Sequence, residues 1–254
     1  MRRRCAPVVA TIVMLLTCGC FNADPGRKIN KSVPAGAGFV VREVKNGSGS
    51  HKYSVFVPRD YSPSKRYPAI VFLHGIGEAG GDGKKSTTVG IGPAIARRGG
   101  DFPFIVLFPQ TGWDWTKKEA GQLVLDVLDD AAGAYAIDRE RVALTGLSSG
   151  GKGTWVLGAR YPQVWSALVP MGSYAAYDAV STLAKLRMPI WALHNSGDFI
   201  VPVGGTRGMI KKLKQAGGNP RYTEYGSVGH NCWDKAYDEG ELFAWLQQQR
   251  RGVR

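Results

Sequence analysis

The chain has 254 residues, 44% of them hydrophobic and 21% charged, the balance of a globular domain with one sizeable core rather than of a disordered chain. Its formal net charge is +13, which reads first as a generally basic soluble surface and secondarily as one that suits anionic lipid or acidic polysaccharide. An aromatic RNP run and zinc-finger spacing are both absent, so nucleic acid is not an expected partner.

The N-terminus follows an export logic. Arg2, Arg3 and Arg4 precede an apolar stretch from Ala6 to Leu16, too short to span a bilayer. Gly19 directly before Cys20 resembles a bacterial lipobox, so residues 1–19 are expected to be removed and Cys20 lipidated. Thr17 stands where that pattern prefers Leu, which leaves cleavage before Cys18 as the alternative. The lipid would hold the protein to the cell envelope. Phe21 rather than Asp follows the cysteine, which favours the outer membrane or cell surface. Cleavage before Cys20 leaves 30 basic and 20 acidic residues, a net +10. Beyond the anchor only Cys232 remains, so no intrachain disulfide is expected, and Cys232 reads as a small buried residue. Residues 20–38, rich in Gly, Pro, Asn and Lys, read as a tether. Residues 39–254 read as one domain.

Phe39–Val44 and Tyr53–Val57 alternate apolar with polar residues and predict an antiparallel opening pair. Tyr67–Leu73 (YPAIVFL) and Phe104–Phe108 (FIVLF) are continuous apolar runs, as strands buried on both faces should be. Residues 117–136 set Leu123, Val124, Val127, Leu128 and Ala131 at helical spacing. Val142–Leu144 form a strand leading into a glycine-rich turn, and a helix is predicted from Gly151 to about Tyr161. Ala167–Met171, Ile190–Leu193 and Arg221–Tyr225 are later strands; 203–216 and 238–249 are helices. This alternation predicts an α/β fold with a mostly parallel central sheet flanked by helices. The short connection from Met171 to Pro189 leaves no room for a lid domain.

Gly146-Leu147-Ser148-Ser149-Gly150 is a G-x-S-x-G sequence, weak alone but here set between a strand and a helix, as a nucleophile elbow requires. Ser148 needs a base, and the chain has four histidines: His51, His74, His194 and His230. His230, in a loop after the last strand, is the one that leaves room for an acid between nucleophile and base. Asp198, directly after the Ile190–Leu193 strand, is the favoured acid, with Asp178 its rival. Oxyanion donors are expected from the Ser149 N–H and from the loop after YPAIVFL, where Ile76 is preferred and Gly77 is second. His74 is read as holding that loop. The run from Gly80 to Ser86 lacks Walker A spacing, so a phosphate cradle is not expected. Trp113 and Trp115, and Trp233 beside the histidine loop, are candidates for substrate stacking. No metal constellation is present.

Taken together, LHGIGEAGGDG, AIDRERVALTGLSSGGKGTW, HNSGDFIVPV and GHNCW resemble the phospholipase/carboxylesterase and predicted-peptidase branch of the α/β hydrolases, with feruloyl esterases, acetylxylan esterases and polyhydroxybutyrate depolymerases as more distant relatives. The resemblance runs from about residue 51 to residue 249. It implies an α/β-hydrolase fold, a Ser148–Asp198–His230 triad, oxyanion donors at Ile76 and Ser149, and no cofactor. Ser149 departs from the Met or Gln of many relatives, which a backbone donor tolerates. The expected activity is hydrolysis of short acyl or polymer-linked esters by a monomer. A serine peptidase of the same fold and a non-catalytic binding protein are the alternatives.

Overall fold

The structure, a computed structural model, describes residues 38–98, 102–112 and 114–252. The expected export signal, Cys20, the tether through residue 37 and Trp113 lie outside them. The strands are β1 (Gly38–Asn46), β2 (Gly49–Val57), β3 (Tyr67–Leu73), β4 (Ile105–Phe108), β5 (Ile137–Leu147), β6 (Ala167–Met171), β7 (Trp191–Gly197) and β8 (Arg221–Val228). They form one sheet in the order β1-β2-β4-β3-β5-β6-β7-β8. β1 pairs antiparallel with β2, and β2 antiparallel with β4. The other strand pairs run parallel.

The helices are α1 (Ile91–Arg97), α2 (Lys118–Ala134), α3 (Ser149–Arg160), α4 (Val180–Lys185), α5 (Gly204–Gln215), α6 (Trp233–Asp238) and α7 (Gly240–Gln248). They cover the sheet on both faces. The period-two alternation of β3 shows how. Tyr67, Ala69, Val71 and Leu73 pack into a cluster shared with Leu123 and Val127 of α2, Trp155 of α3 and Met209 of α5. Ile70 and Phe72 point the other way, towards Ile91 of α1, Tyr237 of α6 and Leu246 of α7. Both sets are buried, and each such aliphatic or aromatic side chain stabilises the fold by about 1.5–3 kcal/mol. An unbroken apolar run is therefore what two covered faces demand.

Differences from the sequence-based expectation are local. β5 begins at Ile137, five residues before Val142, and the pairing with β3 shifts between Tyr67 and Ala69. β7 runs on through His194 and Asn195, which are polar and buried. The expected 238–249 helix is two helices, because Glu239 leaves helical geometry at φ −69° and ψ 118°. Helices α1, α4 and α6 have only six or seven residues, too few for a readable period. Between β6 and β7 lie one 3-10 turn, Tyr177–Ala179, and α4, which buries Val180, Leu183 and Ala184.

Candidate active site

β3 and β5 are neighbours in the sheet, and the strand order runs away from them in opposite directions. In such sheets the crevice outside the strands' carboxyl ends at this switch point is where ligands bind. Ile76 follows β3 there, and Ser148 follows β5.

Ser148 sits at φ 56° and ψ −118°, one of two non-glycine residues with positive φ among the described residues. Such a conformation costs about 1–3 kcal/mol and persists only where its surroundings impose it. Here they do. The Ser148 N–H donates to Met171 O at 2.9 Å, and α3 starts at the very next residue. The turn closes so tightly that a Cβ on Gly146 would stand 2.4 Å from Gly150 O, and one on Gly150 would stand 2.1 Å from Leu73 O. The helix begins two residues earlier than its apolar spacing suggests, which puts the Ser149 N–H in the first turn, where backbone donors have no intrahelical acceptor.

The loop after β3 is fixed by buried His74. Its Nδ1 lies 2.6 Å from Gly75 O, and its Nε2 accepts the Thr111 N–H at 3.4 Å. These partners assign the neutral Nδ1–H tautomer. Burial pushes the His74 imidazole below its ordinary pKa, and the positive charge of Lys85 adds to that, against the opposing pull of the Gly75 hydrogen bond. A trans peptide holds its C=O and N–H on opposite sides. With Gly75 O tied to His74, the Ile76 N–H is turned the other way, off the ring. On the far side of the same turn, the Gly75 N–H donates to Glu78 Oε2 at 3.1 Å. A Cβ on Gly75 would lie 3.7 Å from Ser148 Cβ, so this loop and the serine are adjacent.

Asp198 follows β7 directly and its side chain is fully buried. Oδ1 accepts the N–H groups of Ile200 and Val201, both at 2.9 Å. Oδ2 faces His230 Nδ1 at 2.6 Å. Burial would raise the Asp198 carboxyl; the His230 hydrogen bond and the two N–H donors outweigh it, and the carboxyl lies below its ordinary value. The His230 loop is pinned by Asn195, whose Nδ2 donates to Gly229 O at 2.9 Å and Asn231 O at 3.2 Å. The His230 ring packs on Gly172, where a Cβ would lie 3.4 Å from Cε1. Gly172 follows Met171, the residue that receives the Ser148 N–H. Serine and imidazole thus flank one strand end. His230 Nε2 is buried with no hydrogen-bond partner, so no bond joins it to Ser148 Oγ in this state. Such contacts often close only around substrate.

A scan against models of known protein families finds no match. Among solved structures, a thermostable esterase superimposes with a TM-score of 0.74 and 32% identity, over 84% of this chain and 63% of that one. A fluorophosphonate-binding serine hydrolase F of Staphylococcus aureus superimposes at 0.68 with 14% identity, over 83% of this chain and 99% of that one. The chain has the α/β-hydrolase fold. Among curated proteins, a bifunctional acetylxylan esterase/xylanase of Neocallimastix patriciarum, XynS20E, is 24% identical over 165 residues. Those residues are 63% of this chain, which spans only 23% of that protein. The chain spans less than two thirds of both this curated relative and the thermostable esterase.

Within this hydrolase fold the tryptophans need correction. Trp115 is fully buried, its Nε1–H donates to His74 O at 2.9 Å, and its ring meets His74 edge-on at 4.8 Å. It supports the loop and offers no face to a ligand. Trp233 is also buried and stands edge-on to His230 at 5.0 Å, so it buttresses the imidazole instead of stacking on substrate. Trp113 lies outside the described residues. Asp178 is exposed in the 3-10 turn Tyr177–Ala179, and the carboxylate bonded to His230 is that of Asp198. Cys232 is buried, as expected, with its Sγ near Leu193 O; burial pushes its thiol up to about 12. Sequence reasoning missed His194 and Asn195. Polar residues continuing a strand past its apolar run were the available signal.

Proposed function

We propose that this protein is a serine carboxylic-ester hydrolase working through an acyl-enzyme. Ser148 Oγ attacks the ester carbonyl while His230 Nε2 takes its proton. The Ile76 and Ser149 N–H groups receive the oxyanion, and Asp198 stabilises the imidazolium. His230 then returns the proton to the leaving alcohol, and water repeats the sequence to release the acid. No cofactor is needed. The observation that carries this reading is the Asp198–His230 pair, 2.6 Å apart, set against the strand end that also receives the Ser148 N–H. The likeness to a thermostable esterase and to an acetylxylan esterase/xylanase supports ester chemistry.

Ile76 itself is exposed, as are Phe199 and Ile200 just after Asp198 and Val228 just before His230. The natural substrate is accordingly a short acyl ester or an ester on a polymer side chain, met at an open surface. Activity on a panel of p-nitrophenyl esters, lost by several orders of magnitude in Ser148→Ala with the fold intact, tests this. A Ser148→Ala enzyme as active as the parent overturns it.

The lipid anchor is part of the same proposal. A monomer tethered by acylated Cys20 would work at the outer membrane or cell surface. Labelled fatty acid should enter the exported protein and be lost in Cys20→Ala; loss only in Cys18→Ala moves the cleavage site two residues earlier.

A further inference from the structure

His194 is as fully buried as any residue in the core, and nothing in the triad requires a second histidine. It lies four residues before Asp198, on β7, with its Nε2 3.1 Å from Asp198 Oδ2 and 2.9 Å from Val201 O. Both partners only accept hydrogen bonds, so Nε2 carries the proton and shares it between them. At the other end of the ring, Nδ1 lies 2.8 Å from Thr206 Oγ1, in the first turn of α5. The Thr206 hydroxyl has one proton and two acceptors in reach, His194 Nδ1 and, farther off at 3.2 Å, Ser173 O. Given to Nδ1, that proton leaves His194 neutral with both nitrogens satisfied.

The carboxylate of Asp198 is then saturated. Two backbone N–H groups hold Oδ1, while two imidazoles hold Oδ2. Of these four donors, His230 alone belongs to a group that must change protonation during turnover. Without His194, Oδ2 would be held only by the ring it is supposed to orient.

We infer that His194 is a positioning residue: a neutral imidazole, fixed as the Nε2–H tautomer by Thr206, that clamps Asp198 Oδ2 so that His230 meets it in one orientation throughout the reaction. The inference rests on the serine-hydrolase reading. His194 touches no substrate and transfers no proton. It acts through Asp198, and its loss should appear in kcat with little change in KM.

The test compares the parent with His194→Leu, which has no donor, and His194→Gln, whose amide N–H reaches about as far as Nε2. Each is assayed on p-nitrophenyl acetate and for the rate at which a fluorophosphonate labels Ser148. Loss of one hydrogen bond to a charged group predicts that His194→Leu falls about tenfold to a hundredfold in kcat and in labelling rate, with KM nearly unchanged. His194→Gln should recover most of both. Labelling of His194→Leu at the parent rate, or equal losses in Leu and Gln, overturns the inference. Should His194→Leu fail to fold, nitrogen NMR of the parent decides: the inference requires a neutral Nε2–H ring at position 194, and an Nδ1–H tautomer sinks it. If the parent itself is not labelled at Ser148, it is the hydrolase reading that has failed, and that outcome is distinct from any difference among the His194 variants.

Discussion

Asp198 carries more of the site than its single negative charge suggests. Its carboxyl is held below the ordinary carboxylate value by His230 and by the Val201 and Ile200 N–H groups, which prevail over burial. A depressed folded value means that ionised Asp198 stabilises the fold at pH above its unfolded value of about 3.9, and that this stability is lost as pH falls through the lower folded value. Parent and Asp198→Asn should therefore differ in stability at pH 7 and converge in strong acid, which urea unfolding at a series of pH values will show. In activity the same substitution should lower kcat by about a thousandfold to ten-thousandfold, because an amide selects the wrong imidazole tautomer and removes the counter-charge. Asp178→Asn should leave kcat unchanged, since Asp178 is exposed in its turn. A damaging Asp178→Asn would mean the acid is misassigned.

The elbow is the element on which the site depends. Gly150 has no room for a side chain: a Cβ would meet Leu73 O at 2.1 Å and His74 O at 2.5 Å, both of them backbone atoms that cannot turn aside. Gly150→Ala should cost about 3 kcal/mol or more, against a change within about 0.5 kcal/mol for Gly47→Ala, which has open space around it. Thermal unfolding of the two variants checks the contrast. Elements of this kind were legible in the sequence because their residues obey one dominant demand. YPAIVFL is buried on both faces and nothing else, and G-L-S-S-G between strand and helix has only one tight geometry to serve. Less legible were elements answering to two demands. β7 carries His194 and Asn195 beyond its apolar run because it must both continue a strand and support Asp198 and the His230 loop. Helices α1, α4 and α6 are too short for any period to show. Trp115 and Trp233 were misread because proximity to the site in sequence does not say which way a ring faces. Both turn inward, to His74 and His230.

At the scale of the whole molecule, the proposed function takes the sheet's carboxyl edge to be open, a reading supported by the exposure of Ile76, Phe199, Ile200 and Val228. The connection between β6 and β7 holds a 3-10 turn and one short helix, α4, which buries Val180, Leu183 and Ala184, and it is too short for an inserted lid domain. Each extra acyl methylene contributes at most about 0.8 kcal/mol, and only where a wall receives it. Acetyl to butyryl esters should therefore be hydrolysed best, with kcat/KM falling for chains of about ten carbons or more and no jump in rate at the substrate's micellar threshold. A steady climb to palmitoyl esters with interfacial activation would contradict an open edge.

The site is drawn from the ends of β3, β5, β7 and β8, so its parts lie as far apart along the chain as Ile76 and His230. Parallel strands of this kind pair only through distant crossovers, and chains dominated by such contacts fold slowly. No early, locally structured intermediate can hold a reactive serine: the loop after β3, the elbow and the β7–β8 clamp must all have arrived. During refolding, far-UV signal from helices such as α2 should return first and Ser148 reactivity last. A fluorophosphonate added at intervals would then count finished molecules, which would make the candidate site a clock for the assembly of its own scaffold.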